Sequence, residues 1–187
     1  MKKLAIASAL VLASLSASAA NFVQVEQESV KGRNGATGSD ATYLRAGKDL
    51  GDYSLGLQSR TAKFDNAGGI ANSLEATVSN KNVSVLGITP FVGVGHDFGG
   101  TGAGFNYGLV GAKVGAQVGP GFAYAGVKTR VMRQNDSDPK QTVGFVGYSV
   151  PVAKQVSLNV GVSRSGQDIK EHGVSAGVSF EIGRAHV

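Results

Sequence analysis

The chain of 187 residues has no cysteine, so no disulfide framework braces it. Beyond its N-terminus it has no apolar run long enough to cross a ~30 Å hydrocarbon core as a helix. Lysine and arginine outnumber aspartate and glutamate by 18 to 13, a formal charge of +5, but the basic residues are scattered. Lys31, Arg33, Asp40 and Arg45 show the mixing, whereas nucleic-acid binding needs a clustered basic face. Only three histidines are present, which leaves few candidates for acid–base chemistry. The glycines from Gly93 to Gly104 lack the Lys-Ser/Thr and the helix that follow a phosphate loop. Asn135, Asp136 and Asp138 fall short of a full oxygen-ligand loop for calcium and read as a solvated hairpin tip. No metal site, no cofactor and no nucleic-acid partner is expected.

What is present begins with MKKLAIASALVLASLSASAA: two lysines, an apolar run from Leu4 to Leu15, then Ala17, Ser18, Ala19 and Ala20. This pattern predicts a secretory signal peptide over residues 1–20, cut after Ala19 or Ala20. The 167 residues that remain are the size of one domain, and losing Lys2 and Lys3 lowers the charge to +3. At the other end IGRAHV, residues 182–187, breaks an alternation that runs to Phe180. It reads as the translation of a common sequencing adapter, which makes residues 21–181 the folded domain.

The stretch from Val83 to Val131 carries the fold signal. Leu86, Ile88, Pro90, Val92 and Val94 share one face of a strand, with Gly87, Thr89, Phe91, Gly93 and Gly95 on the other. Gly108, Val110, Ala112, Val114, Ala116 and Val118 then oppose Lys113 and Gln117, and Ala123, Ala125, Val127, Thr129 and Val131 oppose Lys128 and Arg130. One face suits lipid, and the other suits water or buried ion pairs. Ten such strands can be placed between Phe22 and Phe180, the fifth following a sharp Asn80-Lys81-Asn82 turn. Their connections alternate long and short, as in outer-membrane barrels with an even strand count and both chain ends in the periplasm. The expected fold is all-β, a single closed antiparallel transmembrane β-barrel of ten strands, with eight as the alternative count.

The signal peptide, TPFVGVG followed by FNYGLVGAKVG, and the terminal alternation ending at Phe180 resemble the small Gram-negative outer-membrane β-barrel proteins, the OmpA/OmpX-like group in the broad sense. The resemblance covers almost the whole mature chain and implies an outer-membrane location. It implies that Val174, Ala176, Val178 and Phe180 form the signal read by the barrel-assembly machinery.

The expected lumen carries Glu26, Glu28, Arg45, Arg60, Glu75, Lys113, Lys128 and Arg130. Charges of both signs can pair there, and about ten strands enclose little more than side chains can fill. A narrow pore is the other reading, favoured by small inward residues: Gly87, Gly93, Gly95, Gly111, Gly115, Gly126, Gly144, Gly161 and Gly177. Tyr53, Phe91, Tyr107, Phe122, Tyr124 and Tyr148 are read as interface anchors. A barrel hydrolase would need a histidine with a carboxylate or serine at the outer rim. His96 and Asp97 are adjacent and so face opposite ways, as do His172 and Ser175, so no enzyme is expected. The reading is a monomeric envelope-structural or narrow-pore (porin-like) protein in contact with outer-membrane lipid. The alternative is a surface interaction or adhesion protein acting through outer loops such as Lys31–Asp40 and His96–Gly104.

Overall fold

The computed structural model describes residues 21–32, 38–65, 69–99, 104–131, 140–167 and 170–182. The expected signal peptide, the tail from 183 onward and the acidic group Asn135, Asp136 and Asp138 lie outside the described residues. Ten antiparallel strands close on themselves: β1 (Phe22–Gly32), β2 (Ser39–Leu50), β3 (Tyr53–Phe64), β4 (Ile70–Asn80), β5 (Ile88–Asp97), β6 (Phe105–Val118), β7 (Gly121–Val131), β8 (Gln141–Ala153), β9 (Val156–Gln167) and β10 (Glu171–Glu181). Each strand pairs with its neighbours in sequence, and β1 closes onto β10 from Phe22↔Glu181 to Gly32↔Glu171. Closure removes every free edge, so a chain without disulfides needs no other device to protect its backbone groups. The backbone ladder runs past the strand ends, with the Ile182 amide donating to the Asn21 carbonyl at 3.0 Å.

The period-2 pattern sets the two faces. Val92, Val94, Val146, Leu158, Val160, Val162 and Val174 stand exposed on the outside, while Glu26, Glu28, Ser73, Glu75, Asn159 and Ser165 are buried inside. Along β10 the outward residues between His172 and Phe180 are Val174, Ala176 and Val178. At ~3.3 Å per residue and a tilt of ~40°, that uncharged stretch is about 20 Å tall. Tyr53, Tyr148 and Phe180 face outward near the end of the barrel that carries the short turns.

Three expectations need correction. The fifth strand starts at Ile88, not near Val83. Lys81–Val83 form a 3₁₀ turn capped by Asn80, and Leu86 and Gly87 both adopt positive φ, at 52° and 79°. The Val85↔Ile88 bridge makes this a tight secondary hairpin, so Gly87 lines no lumen. This connection is therefore as long as those at the opposite end, and the strict alternation of loop lengths fails there. Gly144 points outward, because Val143, Phe145 and Gly147 occupy the inward positions of β8 opposite Lys128, Gly126 and Tyr124.

The third correction concerns the aromatic residues. Phe91, Tyr107, Phe122 and Tyr124 point into the barrel rather than toward an interface, each lying on a glycine of the adjacent strand. Phe91 covers Gly111, Tyr107 covers Gly95, Phe122 covers Gly115 and Tyr124 covers Gly147. A Cβ at any of these glycines would enter the ring. Much of the space that the inward glycines leave is thus filled by rings, which bury apolar area against backbone.

Candidate functional site in the barrel lumen

The register places Glu26, Glu28, Arg45, Arg60, Glu75, Lys113, Lys128 and Arg130 on the lumen face. Most are joined. Gln24 Nε2 donates to Glu26 Oε2 at 2.6 Å, and Arg45 forms an ion pair with the same carboxylate. Arg45 Nε donates to Gln58 Oε1 at 2.8 Å, and Gln58 Nε2 passes the chain to Glu75 Oε2 at 3.1 Å. Glu75 also accepts from Lys128 Nζ at 2.6 Å and from the Tyr107 hydroxyl at 3.1 Å. One hydrogen-bonded chain therefore runs from β1 through β2, β3 and β4 to β6 and β7.

A second cluster sits nearer the loop end. Arg60 Nε donates to the Tyr43 hydroxyl at 3.1 Å, which donates to Glu28 Oε2 at 2.6 Å. Ser163 Oγ, two strands away on β9, donates to Glu28 Oε1. Arg130 pairs with Asp97 at 3.8 Å and lies over the Tyr107 ring, 4.3 Å from its centroid. Glu26, Glu28 and Glu75 are each at most 8% exposed, and a carboxylate so buried is tolerable only when its lone pairs are used and its charge is matched. Lys113, nearer the turn end, has no carboxylate within 4 Å among the described residues.

The opposite wall is different in kind. The inward positions of β9 from Ser157 to Ser165 are Ser157, Asn159, Gly161, Ser163 and Ser165, and those of β10 run Glu171, Gly173, Ser175, Gly177, Ser179 and Glu181. Apart from the two glutamates at the ends of β10 none is charged, and none between them is large. Asn159 Nδ2 bonds Ser179 Oγ at 3.1 Å. Side chains of little bulk line this side, and Glu26 and Glu28 from β1 lie over Gly177 and Gly173.

Sequence reasoning missed Gln58, Tyr43 and Asp97 as members of the network. Each shares the alternation phase of a charge it serves or neighbours, Gln58 two positions before Arg60 and Tyr43 two before Arg45. His96 faces outward with Nδ1 2.7 Å from Asn106 Oδ1 and its ring edge-on to Phe98, while Asp97 faces the lumen. His172 is exposed on the outside, and Ser175 points inward. Among the described residues no group of three or more His, Asp or Glu could hold a metal ion.

No known family matches the chain, and none of the curated proteins compared with it does. Solved structures do. Neisserial surface protein A shares 16% identity, with 86% of this chain and 96% of that one covered and a TM-score of 0.44. The KdgM porin in complex with disordered oligogalacturonate shares 10%, covering 87% and 99%, at 0.49. The N-terminal β-barrel domain of Pseudomonas aeruginosa OprF shares 15%, covering 88% and 99%, at 0.38. At these identities the likeness is one of fold.

Proposed function

We propose that this chain is an integral protein of a Gram-negative outer membrane, contributing to the envelope and forming a narrow polar passage for small ions. The observation that carries the reading is the asymmetry of the lumen. An ion-paired chain fills the side of β1 to β7, and between Glu171 and Glu181 a wall of serine, asparagine and glycine faces it from β9 and β10. Around this interior stands an outer surface of exposed valine and leucine in a closed barrel, the arrangement that lipid outside and water inside select. The passage is too obstructed for large solutes. The protein works as a monomer in contact with lipid and is inserted by the barrel-assembly machinery, with Val174, Ala176, Val178 and Phe180 on the outward face of β10 as the signal. No catalysis is assigned, since among the described residues His96 and His172 have no carboxylate or serine partner. His96→Ala and His172→Ala should leave the protein without effect on lipid or peptide substrates.

The test is single-channel recording from mature chain refolded in planar bilayers. Small discrete steps are expected, abolished by Ser157→Phe or Ser175→Phe on the open wall. Silence from a protein shown by circular dichroism to be folded would defeat the passage and leave the envelope-structural role.

A further inference from the structure

The outward face of the described strands is almost free of charge, and where charge does appear it is unevenly placed. Asp40 is the one acidic residue at an outward strand position, and it stands directly opposite Lys63 on the neighbouring strand. Lys48 is the basic residue toward the turn end. At the loop end, three basic residues from three adjacent strands fall in one row. Lys31 on β1 pairs with His172 on β10, which pairs with Arg164 on β9. All three side chains are exposed, and adjacent strands lie ~4.8 Å apart, so the row is about 10 Å wide. Among the described residues none of the three has a carboxylate within 4 Å. Asp40 is the nearest outward acid by register, opposite Ser29, two positions below Lys31 on its strand.

Lys31 and Arg164 flank His172 with two like charges and no acid between them, and the imidazole adds ring nitrogens that can hydrogen-bond, so the three form a site that gains by taking an anion. The ground beside and below the row says which anion. Arg164 is paired on its other side with Gly144, where an added Cβ would meet only a backbone oxygen at 4.0 Å. The surface there is flat and open. Immediately below, at the next outward positions, Val174, Val162 and Val146 are 63%, 55% and 56% exposed. A cationic ledge above a bare apolar wall fits a molecule that is anionic at the top and hydrocarbon below.

We propose that Lys31, His172 and Arg164 bind the phosphate-bearing headgroup of a lipid in the leaflet at the loop end, its acyl chains lying along Val174, Val162 and Val146. The proposal rests on the membrane reading above. The site holds a lipid at the closure of the barrel, where the first and last strands meet.

The test uses the mature chain refolded into two kinds of vesicle, neutral phosphatidylcholine and phosphatidylcholine with a phosphorylated lipid such as lipid A. Lipid retained after mild detergent extraction is counted by native mass spectrometry. The wild type should retain the phosphorylated lipid, and Lys31→Gln/Arg164→Gln should weaken that retention about thirtyfold, since each cation near an anionic surface contributes about a factor of five. Lys63→Gln, which changes a cation already faced by Asp40, should retain lipid as the wild type does, and the heat-dependent gel shift of the folded barrel should be unchanged in all three. Equal retention by the double variant overturns the proposal, as does an equal loss in Lys63→Gln. Displacement of the lipid by millimolar inorganic phosphate would make this a site for small anions and overturn the lipid assignment. A chain that inserts into neither vesicle overturns the membrane reading as well, whereas one that inserts into both and holds no phosphorylated lipid overturns this proposal alone.

Discussion

Glu75 is the junction of the lumen network, and removing its charge without changing its shape isolates what the charge does. In Glu75→Gln the new side chain keeps one acceptor for the Tyr107 hydroxyl. Gln58 Nε2 and Lys128 Nζ, however, lose a carboxylate that lies 3.1 and 2.6 Å away. Breaking a buried pair by deleting one partner costs about 3–5 kcal/mol. Lys128 keeps 24% of its side chain wet, against 8% for Glu75, so the stranded ammonium recovers part of its hydration and the expected cost falls to about 2–3 kcal/mol. Lys128→Met strands the more deeply buried partner and should cost more, about 3–4 kcal/mol. The double variant leaves neither charge alone, so the two losses should overlap by about 2 kcal/mol in a double-mutant cycle. Urea unfolding of the barrel in lipid vesicles, followed by circular dichroism, measures all four corners. Single losses below ~0.5 kcal/mol, or losses that add within ~0.5 kcal/mol, would show that the lumen is wet enough to hydrate either charge and would refute the reasoning.

Arg45→Ser, which cuts the chain between Glu26 and Gln58, should raise single-channel conductance in planar bilayers by opening the filled side. Gly111→Val forces a branched side chain into the ring of Phe91, and overpacking of this kind costs about 1–3 kcal/mol, read as a lower urea midpoint. Leu86→Gly should stabilise the barrel by about 0.5 kcal/mol, because Leu86 holds φ at 52° and is itself 94% exposed, and the strain relieved exceeds the extra entropy of an unfolded glycine. A lower midpoint for Leu86→Gly would mean that Leu86 has a partner in the assembled state.

The alternation made the lumen legible. Glu26, Arg45, Glu75 and Lys128 lie on the face that period-2 counting assigns them, because one phase error would put charge into an apolar exterior. Three things were not legible, for different reasons. The segment Val83 to Ile88 continues the apolar alternation of a strand, and nothing in a leucine announces positive φ, which costs an ordinary residue about 1–2 kcal/mol. Strand β8 carries Val143 and Phe145 on one face and Val146 and Tyr148 on the other. With apolar residues on both sides its phase is ambiguous, and counting along β8 alone does not decide which face Gly144 takes. The destination of Phe91 or Tyr124 depends on which glycine the register of the adjacent strand sets beside it. Pairing between strands is non-local, and counting along one strand does not reveal it.

The same non-local logic singles out Gly173, at the closure of the barrel. Glu28 on β1 reaches past β10 to accept from Ser163 on β9, and Gly173 lies between them. A Cβ at Gly173 would strike the Glu28 carboxylate and stand 2.8 Å from Ser163 Oγ. The bond therefore ties three strands across the seam only because β10 is bare there. Gly173→Ala should break the Ser163 bond and leave the Tyr43 bond in place, since Tyr43 approaches from β2 on the other side. A hydrogen bond to a charged acceptor is worth about 1.5–3 kcal/mol, and the seam joins the two strands farthest apart in the chain, whose pairing carries the largest loop-closure cost. The loss should therefore appear mainly in the unfolding rate, with a small change in the rate of folding. Ser163→Ala, which deletes the same bond with no added atom, should produce a smaller effect in the same direction. If Gly173→Ala left the unfolding rate unchanged, or if Ser163→Ala slowed unfolding, Glu28 would be satisfied by water and the seam would be held by its backbone ladder alone.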